Sequence, residues 1–199
     1  MFLPRRAKSP RPAVPLPDSG ADGWAILEST GREVFAVMCR DPHDMDHPAH
    51  PDRPDHVDYK ELFEEFRTDP QYVLRPALKP PVASGITVSA ALLYILPVTA
   101  WLLRVAAERV AGQAVDALGS ATREKLRALL SRRRDGTSGN EPDTGAEPVA
   151  LDANEEQAAL TALVAYAASI GADAAESRAV AEAVITLLRN RGGGASAGQ

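Results

Sequence analysis

The sequence is poor in cysteine and in aromatic residues. Cys39 is the single cysteine among 199 residues, which excludes an intramolecular disulfide and a metal site made only of thiolates. Aromatic residues make up 5% of the chain, and much of its 45% hydrophobic content is alanine. Because alanine buries little apolar area, the composition predicts a mainly α protein with Ala-rich helices rather than a dense αβ enzyme core.

Signatures of catalysis and of export are also missing. Nucleophilic triads, phosphate loops, dinucleotide-binding fingerprints and metalloprotease motifs do not occur. The N-terminus has Arg5, Arg6, Lys8 and Arg11 among prolines, without the apolar run of a secretory signal. We therefore expect a non-enzymatic protein without a cofactor on the cytoplasmic side. Arginine outnumbers lysine 18 to 4, a bias that suggests a GC-rich bacterial gene.

The first 81 residues predict a disordered tail followed by a small ββα unit. Residues 1–20 hold five of the sixteen prolines and no periodic apolar pattern, so we expect them to be disordered. Two apolar, β-branched runs, WAILES and EVFAVMC, flank Thr30-Gly31-Arg32, which predicts two strands joined by a turn. A helix from Asp58 to Arg67 completes the unit over residues 21–81. Its predicted apolar face consists of Tyr59, Leu62, Phe63 and Phe66.

Residues 82–103 form an uncharged stretch of 22 residues, bracketed by Lys79 and Arg104. A helix needs about 20 such residues to cross a bilayer, and Trp101 lies near one end, where an interfacial indole is expected. The stretch is therefore a candidate membrane segment. The predicted contacts with lipid or with a partner are Leu92, Leu93, Ile95, Leu96, Trp101 and Leu102. The alternative is that an oligomer or a partner protein buries residues 82–103.

The same helix is expected to continue to residue 134, with a kink near Pro97, because proline removes a backbone hydrogen bond. Residues 104–134 are amphipathic and basic, which favours either a helix on an anionic membrane surface or a bundle helix that pairs with the acidic C-terminal part of the chain. The basic groups are few and no aromatic residues are interleaved, so nucleic-acid binding is not favoured.

All four histidines, His43, His47, His50 and His56, fall in one loop with several aspartates. Imidazoles and carboxylates can bind zinc or another divalent ion. Four prolines extend this loop, and no helical spacing fixes the ligand geometry. The histidines are candidate metal ligands, and a solvated polar loop is the alternative.

The C-terminal third predicts a helical hairpin. Residues 135–151 form an acidic linker, and Asp152 with Glu155 and Asp173 with Glu176 are spaced as capping boxes. Two apolar stripes follow these caps and Gly171 separates them, so we expect an αα-hairpin over residues 152–191 and a glycine-rich tail over 192–199. About 40 residues are too few to bury both stripes.

These features lead to three hypotheses of function. The first is a membrane-associated adaptor, anchored by residues 82–103, whose flanking modules bind partner proteins. The second is a soluble helical interaction or regulatory subunit whose apolar helix is buried in an oligomer, including a homo-oligomer. The third is a metal-dependent enzyme that uses the His/Asp loop.

Overall fold

The computed structural model describes residues 21–39, 59–71, 91–107, 118–131 and 149–192, together with Val14, Leu16 and Val115. These residues form six helices and no strands. The helices are α1 (Ala21–Met38), α2 (Tyr59–Thr68), α3 (Ile95–Ala106), α4 (Ser120–Ser131), α5 (Ala153–Ser169) and α6 (Ala174–Gly192). The mainly α fold is confirmed, whereas the predicted ββα unit is wrong.

A single helix, α1, replaces the two predicted strands. Leu27, Thr30, Gly31 and Val34 are buried, and their spacing of three, four and seven residues is that of one helical face. The β-branched and aromatic residues that favoured strands therefore lie on a helix whose partners are other helices. Tertiary packing outweighs their local β propensity.

Gly31 lies at a close approach between helices and not in a turn. A Cβ atom at this position would lie 2.6 Å from the Tyr59 hydroxyl oxygen and 2.9 Å from Leu96 Cδ2. The missing side chain lets α2 and α3 pack closely against α1. The Tyr59 hydroxyl also donates a hydrogen bond of 2.8 Å to the carbonyl of Glu28, which fixes α2 against α1.

The predicted helix α2 is confirmed, with Tyr59, Leu62, Phe63 and Phe66 buried. Its predicted cap, Asp58, lies outside the described residues.

The described part of the apolar segment is enclosed by the protein itself. Ten of the twelve residues of α3 are buried, and α3 contacts α1, α4, α5 and α6. Within the described ranges, no helix combines the length and the apolar character needed to cross a membrane. The transmembrane prediction is therefore wrong, since other helices of the chain cover its described part, residues 91–103. Residues 82–90 lie outside the described residues.

The predicted continuous helix over residues 82–134 is interrupted. α3 ends at Ala106, and α4 begins after Gly119 and packs against α3. The Arg127 Nε donates a 2.8 Å hydrogen bond to the carbonyl of Ala106, a contact that one straight helix could not form. Pro97 lies in the first turn of α3, where a missing N–H leaves no intrahelical bond unmade. Ahead of it, the turn residues Leu93 and Tyr94 separate α3 from a helical turn at Ala91 and Leu92.

The two C-terminal helices begin at the predicted caps. The Asp152 side chain accepts hydrogen bonds from the backbone of Asn154 and Glu155, and Glu155 accepts one from the Asp152 N–H. Asp173 and Glu176 make the equivalent pair of bonds. Gly171 joins the helices with a φ of 109°, a conformation that favours glycine.

The hairpin stripes and the apolar helix share one core. Its main cluster draws buried side chains from α1, α3, α4, α5 and α6. At its centre, the indole of Trp101 stacks on the ring of Tyr166, with centroids 4.8 Å apart and planes 10° apart. Trp101, predicted as an interfacial anchor, thus joins α3 to α5 inside the protein.

Candidate functional site

An open groove with a volume of about 380 Å³ lies between α5 and α6. We call it the hairpin groove. Its lining residues are Ala153, Glu156, Gln157, Leu160, Glu182, Ile185, Thr186 and Arg189. Ala153, Gln157, Glu182 and Arg189 are exposed, so a partner can reach the groove from solvent.

The groove has an apolar component because two residues of the hairpin stripes lie at its edge. Ile185 is 7% exposed and Leu160 is half-buried, and both pack against the main core. Leu160, together with the small exposed part of Ile185, provides an apolar contact area beside charged and polar side chains. Such a combination of apolar surface and a few fixed polar groups is typical of a recognition site.

An ion pair crosses the groove. The guanidinium of Arg189 donates two hydrogen bonds to Glu156, at 2.6 Å from Nη2 and 3.2 Å from Nε. The hydrogen bond to Glu156 raises the pKa of Arg189 above its ordinary value. The Arg189 side chain is 63% exposed, and exposed pairs add little to stability. Because two hydrogen bonds join them, Glu156 and Arg189 present their charges at the surface in a defined arrangement.

Glu182 provides the second carboxylate of the groove. The Arg178 Nε donates to it at 2.7 Å, and the Thr186 hydroxyl, one helical turn further, donates to the Glu182 carbonyl at 2.8 Å. Both glutamates of the groove thus accept hydrogen bonds from arginine.

The surface of the hairpin is acidic. Residues 152–192 contain six acidic and three basic side chains, and one of the basic ones, Arg191, is only 8% exposed and pairs with Glu33 of α1. Lys125 of α4 approaches the hairpin and bonds Glu155 at 2.7 Å. This contact is of the kind expected for a basic bundle helix that pairs with the acidic C-terminal part.

The residues predicted to contact lipid or a partner are buried or partly buried among the helices. Leu92, Ile95, Leu96, Trp101 and Leu102 are at most 3% exposed. The sixth of them, Leu93, is partly buried against the cluster formed by α1, α2 and α3. All of them act as core residues in the described structure.

The candidate metal ligands His43, His47, His50 and His56 lie outside the described residues. Elsewhere, in the part of the chain that is described, no group of three or more potential ligands comes together. Cys39 is exposed just after α1, and partial burial of its sulfur raises the pKa of the thiol. It therefore lacks the lowered pKa of a reactive cysteine.

Sequence reasoning identified both helices of the hairpin but not the groove. Glu156 and Arg189 are 33 positions apart, and neither belongs to a motif. A signal was present, because antiparallel helices joined by a short turn bring the start of α5 beside the end of α6. The acidic first turn of α5 and the basic last turn of α6 could therefore have been predicted to lie side by side.

Comparison with protein-family models, with curated proteins and with solved structures gives no significant match. The function is therefore argued from the chain's own surfaces.

Proposed function

We propose that this chain is a non-enzymatic helical interaction or regulatory subunit that binds a partner protein in the hairpin groove. The observation that carries the proposal is the groove itself, with apolar contacts at Leu160 and Ile185 and fixed charges at Glu156 and Arg189. The apolar helix α3 acts as the core on which the hairpin is mounted.

Burial of α3 supports this function over that of an anchor. Since its apolar residues are enclosed by α1, α4, α5 and α6, an oligomer is not needed to cover them. Within the described residues, the outer side of the hairpin is a surface that is available to a partner. A rigid pair of capped helices also suits recognition, because little conformational entropy is lost when a preorganised surface binds.

The acidic hairpin favours a partner segment that is basic and amphipathic. Such a segment would place an apolar side chain on Leu160 and Ile185 and a lysine or arginine beside Glu156 or Glu182. An amphipathic helix in a groove between helices is a common mode of peptide recognition. Complementary charge would also speed association at low salt.

Two matched substitutions test the groove. Ala153 and Ala174 are the exposed first residues of α5 and α6, each after a capping aspartate, but only Ala153 lines the groove. Ala153→Trp should fill the groove without disturbing the core, whereas Ala174→Trp should leave it open. Tagged full-length chains would capture partners from a lysate, with quantification by mass spectrometry.

We expect Ala153→Trp to lower recovery of a specific basic partner at least about tenfold, equivalent to about 1.4 kcal/mol. Ala174→Trp should retain it. Recovery by the unmodified chain should fall when salt is raised from about 0.05 to about 0.5 M, because salt screens the acidic surface. If the unmodified chain and both variants capture the same proteins in equal amounts, the hairpin groove is not the binding site.

A further inference from the structure

A second surface of the molecule is already occupied by a short segment of its own chain. Val14 is 3% exposed and belongs to the apolar cluster formed by α1, α2 and α3. We call this cluster without Val14 the N-terminal slot. Its buried residues are Leu27, Tyr59, Leu62, Phe63, Phe66, Leu96 and Ala100.

The segment in the slot has the chemistry of a proline-flanked extended peptide. Val14 precedes Pro15 and Leu16 precedes Pro17, and a residue before proline is restricted to extended conformations. Val14 is buried whereas Leu16 is 38% exposed. Side chains two positions apart share one face of a β-strand, but they point to different sides in a polyproline II helix, which has three residues per turn. The Val14 side chain therefore anchors the segment in the slot, whereas Leu16 is held through its backbone carbonyl.

That backbone contact comes from Arg104 on α3. Its Nη1 donates to the carbonyl of Leu16 at 2.6 Å. The Nε of the same guanidinium is buried and has no hydrogen-bond partner. Because Nη1 donates to a main-chain carbonyl, it recognises the backbone of the segment and not a particular side chain. The Nε–H can donate to one further acceptor.

The walls of the slot are aromatic. Trp24, which is half-buried, meets Phe63 edge-on at 6.2 Å and Phe66 at 6.4 Å between ring centroids. Aromatic-lined surfaces are the usual receptors for proline-rich extended peptides, which lose little conformational entropy on binding.

We propose that the N-terminal slot is a binding site for a proline-flanked, extended apolar segment of a partner protein. In the described state the chain's own Val14 occupies this site in cis, while the Leu16 carbonyl accepts a hydrogen bond from Arg104, and this segment competes with that partner. The slot lies on α1, α2 and α3 and shares no residue with the hairpin groove, so the proposal does not depend on the groove.

The test uses full-length protein and a fluorescent peptide with the sequence of residues 10–19, PRPAVPLPDS. Val14→Asp in the protein should release the cis segment, because a carboxylate is not tolerated in an apolar cluster. A tethered competitor acts at a millimolar effective concentration. We therefore expect fluorescence anisotropy to show the peptide binding at least about tenfold more tightly to the Val14→Asp chain than to the unmodified chain.

Two controls define the contacts. A peptide with the same Val14→Asp change should lose binding to the variant protein. Adding Arg104→Met to the Val14→Asp chain should weaken binding of the original peptide by about fivefold or more, because the donor to the Leu16 carbonyl is lost. Circular dichroism would establish that each variant is folded.

Equal peptide affinity for the unmodified and Val14→Asp chains, or no binding to a folded Val14→Asp chain, would overturn the proposal. Should Val14→Asp prevent folding, Val14→Ala replaces it and removes only part of the anchor. A smaller gain in peptide affinity is then expected, and an affinity identical to that of the unmodified chain rejects the proposal.

Discussion

Arg191 bonds Glu33, which lies 158 positions earlier in the chain, through Nη2 at 2.9 Å and Nε at 3.3 Å. Its Nη1 also lies 3.4 Å from the carbonyls of Leu129 and Leu130, in the last turn of α4. A cation is favourable at the C-terminal end of a helix. One side chain, 8% exposed, thus connects α1, α4 and α6.

Arg191→Ala should therefore destabilise the protein strongly. Removing a buried guanidinium leaves Glu33 and two helix-terminal carbonyls without their partner, and we expect a loss of roughly 2–4 kcal/mol in the free energy of unfolding. Urea unfolding followed by circular dichroism measures it. Arg189→Ala is the matched control, since Arg189 is in the same helix and pairs with Glu156, but its side chain is 63% exposed.

The control should lose only about 0–1 kcal/mol, as exposed ion pairs do. Similar losses in the two variants would show that Arg191 has no special role in joining the three helices.

Gly31→Ala tests the close approach of α1 to α2 and α3. The added methyl group would lie 2.6 Å from the Tyr59 oxygen and 2.9 Å from Leu96 Cδ2. Overpacking costs about 1–3 kcal/mol, partly offset by about 1 kcal/mol of helix propensity gained on replacing glycine. We expect a net loss of about 1–2 kcal/mol in thermal or urea unfolding.

Tyr59→Phe removes the nearest atom, so it should partly rescue Gly31→Ala in the double variant. Such coupling between contacting residues is measured by a double-mutant cycle. Purely additive losses would argue that Gly31 acts through its backbone conformation, as it would in a turn.

Two buried tyrosines predict a loss of stability at alkaline pH. Burial raises the pKa of Tyr166 above its ordinary value of 10.0, and burial followed by the charge of Glu28 does so for Tyr59, with Arg32 opposing it. Above pH 10 the unfolded chain releases these protons while the folded chain keeps them. Stability from these groups is therefore intact below pH 10 and declines as pH rises beyond it.

The expected slope is up to about 1.4 kcal/mol per pH unit for each tyrosine, and urea unfolding at pH 9 to 11 measures it. Tyr166→Phe should reduce the slope and cost little at neutral pH, because the Tyr166 hydroxyl is buried without a hydrogen-bond partner. An unchanged slope in that variant would contradict the burial of this ring.

The sequence predicted correctly those helices whose ends or apolar faces are marked by residues close to one another in the chain. α2 has a compact aromatic face, and the hairpin has two Asp/Glu capping pairs and Gly171. Such signals depend on neighbours within four positions, so the sequence displays them directly. The groove on the hairpin could be anticipated only as far as the pairing of its helix ends.

The elements predicted wrongly depend on contacts between distant residues. Nothing local to Gly31 reveals that Tyr59 and Leu96 approach it, so the glycine suggested a turn. Likewise, 22 uncharged residues look the same whether lipid or protein surrounds them. The enclosure of α3 depends on long-range partners such as Tyr166, which stacks on Trp101 from 65 positions further along the chain.

The central claim is that helices of the same chain enclose the apolar helix α3. Hydrogen–deuterium exchange of the full-length protein, in buffer without detergent, tests it most directly. The backbone amides of residues 98–106 should exchange only through global unfolding, with protection that does not change when anionic phospholipid vesicles are added. Rapid exchange of these amides in buffer, slowed only by the vesicles, would contradict the enclosed helix and would support a membrane-embedded segment instead.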